Sequence, residues 1–141
     1  MRIRLALSLL VLLAGCVSPS DPLGHRDALE DAQKRYTNFI RWGDAEKAVQ
    51  FVEPDLRAKF LAQASNLELL AISDYDIGEI EYNDDENTAT VEVTYRGYSL
   101  AQFVERKIRV TQEWKRSGTN DWRVRPDLER VVALLRGETP K

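Results

Sequence analysis

In Thr90-Val91-Glu92-Val93-Thr94-Tyr95-Arg96 every second residue is apolar or aromatic and the residues between are polar or charged. A period of two puts the two sets on opposite faces of an extended chain, so this segment predicts a half-buried strand of an antiparallel sheet. The next run repeats the pattern: Val104, Ile108, Val110 and Trp114 share one phase, Glu105, Lys107, Arg109, Glu113 and Lys115 the other. Upstream, Tyr75 and Ile77 stand in one phase and Ile80 and Tyr82 in the opposite one, which predicts a bulge or sharp bend at Gly78. Polar turns at 83–87 and 117–121 separate the strands. Across the second turn, a pairing with Trp114 beside Trp122 and Glu113 opposite Arg123 matches core to core and charge to charge, which predicts a hairpin.

Ahead of the strands the period is helical. From Asp27 onward, Leu29, Ala32, Tyr36, Phe39 and Ile40 fall three and four apart, and Gly43 stops the run. Asp44 is placed to cap a second, shorter helix, and Pro54 ends that one and opens a third with Leu56, Phe60, Leu61 and Ala64 on its buried face. After Pro126, Leu128, Val131, Val132 and Leu135 return to helical spacing, with Asp127 as a cap and Gly137 as a stop. Helices followed by a meander of long strands predict an α+β domain: N-terminal helices packed on a curved antiparallel sheet, closed by a short C-terminal helix.

The front of the chain carries an address. Arg2 and Arg4 precede an apolar run from Leu5 to Ala14 that only Ser8 interrupts, the layout of a secretory signal. Ten helical residues span about 15 Å against a bilayer core of about 30 Å, so a permanent membrane span is a poor reading. Leu13-Ala14-Gly15-Cys16 resembles the bacterial lipobox, and the resemblance implies cleavage before Cys16 and a diacylglycerol on its sulfur. The expected organisation is therefore a signal peptide over 1–15, a lipidated cysteine and flexible tether over 16–24, a domain over 25–137 and a tail over 138–141. Val17, rather than Asp, follows the cysteine; among bacterial lipoproteins this implies an outer-membrane destination on the periplasmic face, with the inner membrane as the alternative.

Composition narrows the partners. Removing Arg2 and Arg4 from the 20 Lys+Arg leaves 18 against 23 Asp+Glu, the opposite of a nucleic-acid binder's balance. Cys16 is the only cysteine, so no internal disulfide staples the domain.

The elements at Trp42-Gly43-Asp44-Ala45, Glu53-Pro54-Asp55-Leu56 and Trp122-Arg123-Val124 are similar to those of the nuclear transport factor 2-like superfamily, the cone-shaped fold shared with ketosteroid isomerase and SnoaL-type polyketide cyclases. That resemblance implies a cone lined from within, with Tyr36, Tyr95 and Trp114 as candidate pocket residues. An enzyme of this fold places a carboxylate base and a hydrogen-bond donor in the cone. Tyr36 fits the donor's place, but no aspartate is assignable to the base, and His25, the sole histidine, lies beside the tether. The seven acidic residues between Asp74 and Glu86 lack the spacing of a calcium loop and read as a solvated strand edge. The basic residues from Arg106 to Arg125 alternate with Glu105 and Glu113 as an ordinary charged outer face.

From these residues the chain is expected to be no enzyme and to hold no metal or cofactor. It is read as a lipid-anchored periplasmic binding or protein-interaction module, held to the membrane by its lipid, partnered by another envelope protein and able to form a homodimer through the sheet face. The alternative is an apolar small-ligand carrier using the cone or, behind that, an isomerase-like or cyclase-like enzyme.

Overall fold

A computed structural model describes residues 21–126 and 128–138. The lipobox with Cys16, the Asp127 cap and the chain beyond 138 lie outside the described residues. Helix α1 (His25–Arg41) buries Leu29, Gln33, Tyr36, Thr37 and Ile40 along one stripe. It begins two residues before the expected start because Asp21 holds its first turn: the carboxylate accepts from the backbone N–H groups of His25, Arg26 and Asp27 at 2.9, 2.8 and 3.2 Å. These are donors that a helix start otherwise leaves unpaired. Desolvation pushes the Asp21 carboxyl up, but those three donors outweigh it and hold it below the usual carboxylate range. Gly43, at φ 69, ends the helical run in a left-handed conformation that only glycine adopts without steric cost.

Asp44 then caps α2 (Ala45–Ala48) by accepting from the Lys47 backbone N–H. Short 3-10 turns at Val49–Phe51 and Pro54–Leu56 lead into α3 (Arg57–Gln63), which buries Phe60. A further 3-10 segment, Ala64–Leu69, delivers the chain to the sheet.

The sheet is a four-stranded antiparallel meander, β1 (Leu70–Asn83), β2 (Thr88–Ser99), β3 (Arg106–Ser117) and β4 (Asp121–Arg125), in that spatial order. Along β2 buried and half-buried residues alternate over the whole strand. The register of β1 slips between Ile77 and Ile80, at the phase change around Gly78, and again between Ile72 and Asp74, where no glycine or phase signal announces it.

The last hairpin pairs two residues away from the expected register: Trp114 faces Val124, Glu113 faces Arg125 and Arg116 faces Trp122. Ser117 pairs directly with Asp121, leaving a loop of 118–120 with Gly118 at φ 62, and loop length sets register. A slip of two keeps every side chain on its face, so Trp114 and Trp122 are still both buried.

Strand β4 ends after five residues, so the first half of β3 has no partner on that side. Helix α4 (Leu128–Arg136) takes its place against β2 and β3 and buries Leu128, Val131, Val132 and Leu135. The result is the α+β architecture expected from the sequence: helices packed on a curled antiparallel sheet, with a short helix at the C-terminal end. Its two poles are distinct. The start of α1 meets the hairpin tips, with His25 Nδ1 2.7 Å from Asn120 Oδ1 and Arg26 pairing with Asp84 at 3.3 Å. About 25 Å away along the helix axis, Arg41 reaches the start of β1 and donates to the Ser73 carbonyl at 2.6 Å.

Candidate functional site

Inside the cone the three pocket candidates come together. Tyr36 and Trp114 meet edge to face with ring centroids 5.8 Å apart, the favoured geometry for an aromatic pair. Tyr95 and Trp114 are each 1% exposed. Beside them lies a polar cluster drawn from α1, β2 and β3. Gln33 and Gln112 both donate through Nε2 to Thr37 Oγ1, at 2.9 and 3.0 Å; Trp114 Nε1 donates to Gln112 Oε1 at 3.2 Å; and Gln112 Nε2 lies 3.4 Å from the Tyr95 hydroxyl. Gln33 Nε2 also reaches Gln112 Oε1 at 3.3 Å, while Gln33 Oε1 has no partner. Burial pushes the Tyr95 hydroxyl well above its ordinary pKa, against the opposing pull of hydrogen bonds from Thr37 and Gln112, so it stays protonated at physiological pH.

Little space is left between these groups. The void bounded by Tyr36, Tyr95, Val110, Gln112 and Val131 is about 20 Å³, room for about one water. An open hollow of about 410 Å³ adjoins it at the cone mouth, lined by Leu56, Lys59, Phe60, Arg125, Leu128 and Glu129. Among the described residues the buried polar side chains are Gln33, Thr37, Ser99 and Gln112, with no carboxylate in the set. Asp74 and Asp76 instead pair with Arg96, at 2.5 and 3.7 Å, in partly exposed positions, and His25 is at the hairpin pole. The cations of the last hairpin are engaged locally: Arg109 with Glu92, Arg123 with Asp121 and Arg125 with Glu53.

Sequence reading missed Gln33 and Thr37 as interior residues. The signal was present: both fall on the Leu29, Tyr36 and Ile40 face of α1, just as Gln112 falls in the apolar phase of Ile108, Val110 and Trp114. A polar residue in an apolar phase is the sequence trace of a buried hydrogen-bond network.

The second concentration of unusual side chains is the pole at the end of α1. Trp42 is 70% exposed and Phe103 is 73% exposed, and Leu69, Leu100 and Val104 are also open to solvent. A groove of about 420 Å³ lies beside Trp42, lined also by Arg41, Leu67, Glu68, Leu70, Ile72 and Tyr98. Tyr98 links the groove to Phe103 through a ring contact at 5.8 Å, and the Leu100 N–H bonds the Leu69 carbonyl at 2.9 Å. Phe103 sits at φ 53, a left-handed conformation that is a genuine outlier for a bulky residue. It is held there by the backbone N–H bonds of Gln102 and Phe103 to the Ser99 carbonyl and by the bond from Ala101 N–H to Ser99 Oγ. Arg41 stacks over Trp42, its guanidinium carbon 5.1 Å from the ring centroid. Its Nε–H is buried and has no acceptor, as is the Nε–H of Arg106 three residues beyond Phe103.

No protein-family model and no curated protein matches the sequence. Solved structures do match in fold. An NTF2-like protein from Cytophaga hutchinsonii is 20% identical with a TM-score of 0.55, covering 70% of this chain and 91% of its own. A ketosteroid isomerase-like protein from Erwinia carotovora atroseptica is 16% identical with a TM-score of 0.52, covering 70% and 88%. A protein from Xanthomonas campestris provisionally named a polyketide cyclase is 12% identical with a TM-score of 0.52, covering 79% and 98%. At these identities the likeness is one of fold, and the fold is the nuclear transport factor 2-like cone.

One expectation is corrected by these neighbours. The chain was expected to be no enzyme, yet proteins sharing its fold are named for isomerase and cyclase chemistry, so catalysis is not excluded. The exclusion rested on the lack of an assignable histidine or carboxylate base. The polar groups that face the cone are amides and hydroxyls, which a search for ionisable residues passes over.

Proposed function

We propose that this chain is a lipid-anchored interaction module of the bacterial envelope, held by Cys16 at the periplasmic face of the outer membrane and engaging another envelope protein through the pole around Trp42 and Phe103. The observation that carries this reading is Phe103 itself, a large aromatic held in solvent, in a costly backbone conformation, by three local hydrogen bonds. Strain of this kind persists only where the surroundings over-determine it and concentrates at functional sites.

Geometry supports the orientation. Asp21 is tied to the first turn of α1, so only residues 17–20 separate it from the lipidated cysteine. Four residues reach at most about 14 Å. The start of α1 then faces the membrane, and its far end faces the periplasm. Metabolic labelling with palmitate and fractionation of the envelope test the anchor: label and membrane association are both lost in Cys16→Ser. Pull-down with the wild-type and Cys16→Ser forms tests the module, and recovery of one specific partner by both places recognition in the folded domain.

A second reading, small-ligand binding in the cone with isomerase- or cyclase-like chemistry, is favoured by the hollow of about 410 Å³ that adjoins the buried Tyr95 and Gln112 cluster. A ligand entering there displaces Leu128 or Phe60 and changes the emission of Trp114. Titration with a panel of apolar ketones that leaves the fluorescence unchanged overturns it.

A further inference from the structure

Resting on the small-ligand reading, we infer that the hollow between α3 and α4 takes a small organic anion, an apolar body carrying one carboxylate. At about 410 Å³ the hollow lies in the size range of small-molecule sites. Its floor is apolar: Phe60 of α3 and Leu128 of α4 are 1% and 3% exposed, and Leu56 and Pro126 lie beside them. The void behind Leu128, bounded also by Tyr36, Tyr95 and Gln112, is about 20 Å³. The apolar body of the ligand therefore stops at Leu128 and stays small.

The head group is set by the charges on the rim. Lys59, Arg125 and Glu129 line the hollow, two cations to one carboxylate. Glu129 already accepts from Gln63 Nε2, and Gln63 stands one helical turn along α3 from Lys59. Lys59 is exposed and, among the described residues, has neither an ion pair nor a hydrogen bond. Arg125 turns one Nη toward Glu53 at 3.5 Å, and its side chain is 61% exposed. The donors left over are thus cationic and in reach of solvent, where a carboxylate that takes up both amine and guanidinium protons replaces water. A second negative charge on the ligand meets Glu129, which favours a monoanion.

The other hollows show no such excess. In the groove beside Trp42, Arg41 is matched by Glu68, and in the cleft beside Glu53, Lys115 and Arg125 are matched by Glu53 and Glu113. A cationic ligand at α3 and α4 meets two like charges, and a neutral one gains only the apolar floor.

The test uses the full lipidated chain in lipid nanodiscs, with 4-fluorophenylalanine at its four phenylalanines and the Phe60 resonance assigned by Phe60→Leu. Three probes share one body and differ in head group: 3-phenylpropionate, 3-phenylpropanol and 3-phenylpropylammonium. The expected result is a saturable shift of the Phe60 fluorine resonance by phenylpropionate, with a Kd of about 1 mM for a ligand of this size, while Phe103 at the far pole stays in place. Phenylpropanol binds about fivefold more weakly, the worth of an exposed ion pair, and phenylpropylammonium more weakly still. Lys59→Gln weakens phenylpropionate by the same factor and leaves phenylpropanol unchanged, Lys59→Arg restores the difference, and added salt narrows it.

Equal affinity for the anion and the alcohol, tighter binding of the ammonium probe, or a phenylpropionate Kd indifferent to Lys59→Gln overturns the inference and leaves the small-ligand reading standing. No Phe60 shift with any of the three probes, or a shift of Phe103 without Phe60, overturns both.

Discussion

The cone interior and the far pole use the same kinds of residue in opposite ways. In the interior Tyr36 packs on Trp114, the polar atoms of Tyr95 and Trp114 are tied into a network with Gln33, Thr37 and Gln112, and about 20 Å³ is left over. At the pole Trp42 and Phe103 are more than two-thirds exposed, and two arginine N–H groups lack acceptors. There each aromatic has one neighbour, Tyr98 for Phe103 and the Arg41 guanidinium for Trp42, and leaves most of its surface to solvent. The contrast teaches that this chain packs the inner end of its cone with its own side chains and the C-terminal helix, and leaves its largest aromatics open to solvent at the pole.

The most severe challenge to that contrast is Trp114→Ala. If Trp114 packs the interior, the variant loses about 3–5 kcal/mol of stability in urea denaturation; a loss under about 1 kcal/mol means the cone is loosely filled. Gln112→Leu comes next. It takes an acceptor from Trp114 Nε1 and Gln33 Nε2 and a donor from Thr37, and an expected cost of about 1–3 kcal/mol reflects the groups left unpaired.

The alkaline limb of stability tests the same network. Burial raises the Tyr95 pKa in the folded state, so the folded form holds its proton while an unfolded tyrosine releases one near pH 10. Stability is then full below about pH 10 and falls as pH rises above it. Tyr95→Phe removes that part of the decline, and a pH profile of the melting temperature identical in wild type and variant contradicts the assignment.

Smallest of all is the expected stability effect of Phe103→Ala and Trp42→Ala, within about 0.5 kcal/mol as for surface positions. Partner capture, by contrast, is lost in both. A large destabilisation by either variant shows that the pole is held together by its aromatics and removes the distinction between the two regions.

Much of the architecture was legible because it rests on local patterns. The alternation through Val91, Val93 and Tyr95 became β2, and Asp44 caps α2 as placed. The phase change at Gly78 became a bulge. What local pattern does not encode was missed. The register of the last hairpin depends on a three-residue loop, and neighbouring registers two apart bury the same faces. The early start of α1 depends on Asp21, which reads as tether until its carboxylate is seen over the first turn.

Of the candidate pocket, the inward placement of Tyr36, Tyr95 and Trp114 was legible from period alone. How much space they leave was not, because α4 enters the cone through contacts far apart in sequence. The far pole was invisible for the same reason. Trp42, Leu70, Tyr98 and Phe103 come from four separate segments that only the closed fold brings together.

The three tryptophans offer the most direct measurement of the whole account, because one stands in each kind of place: Trp42 at the pole, Trp114 in the cone and Trp122 at the buried edge of the last hairpin. With 5-fluorotryptophan incorporated, fluorine NMR resolves all three under a soluble paramagnetic agent and under xenon pressure. The account predicts that the agent broadens the Trp42 resonance alone and that xenon leaves the Trp114 resonance where it was. A xenon-induced shift of Trp114, or a Trp42 resonance shielded from the agent in the isolated chain, contradicts it.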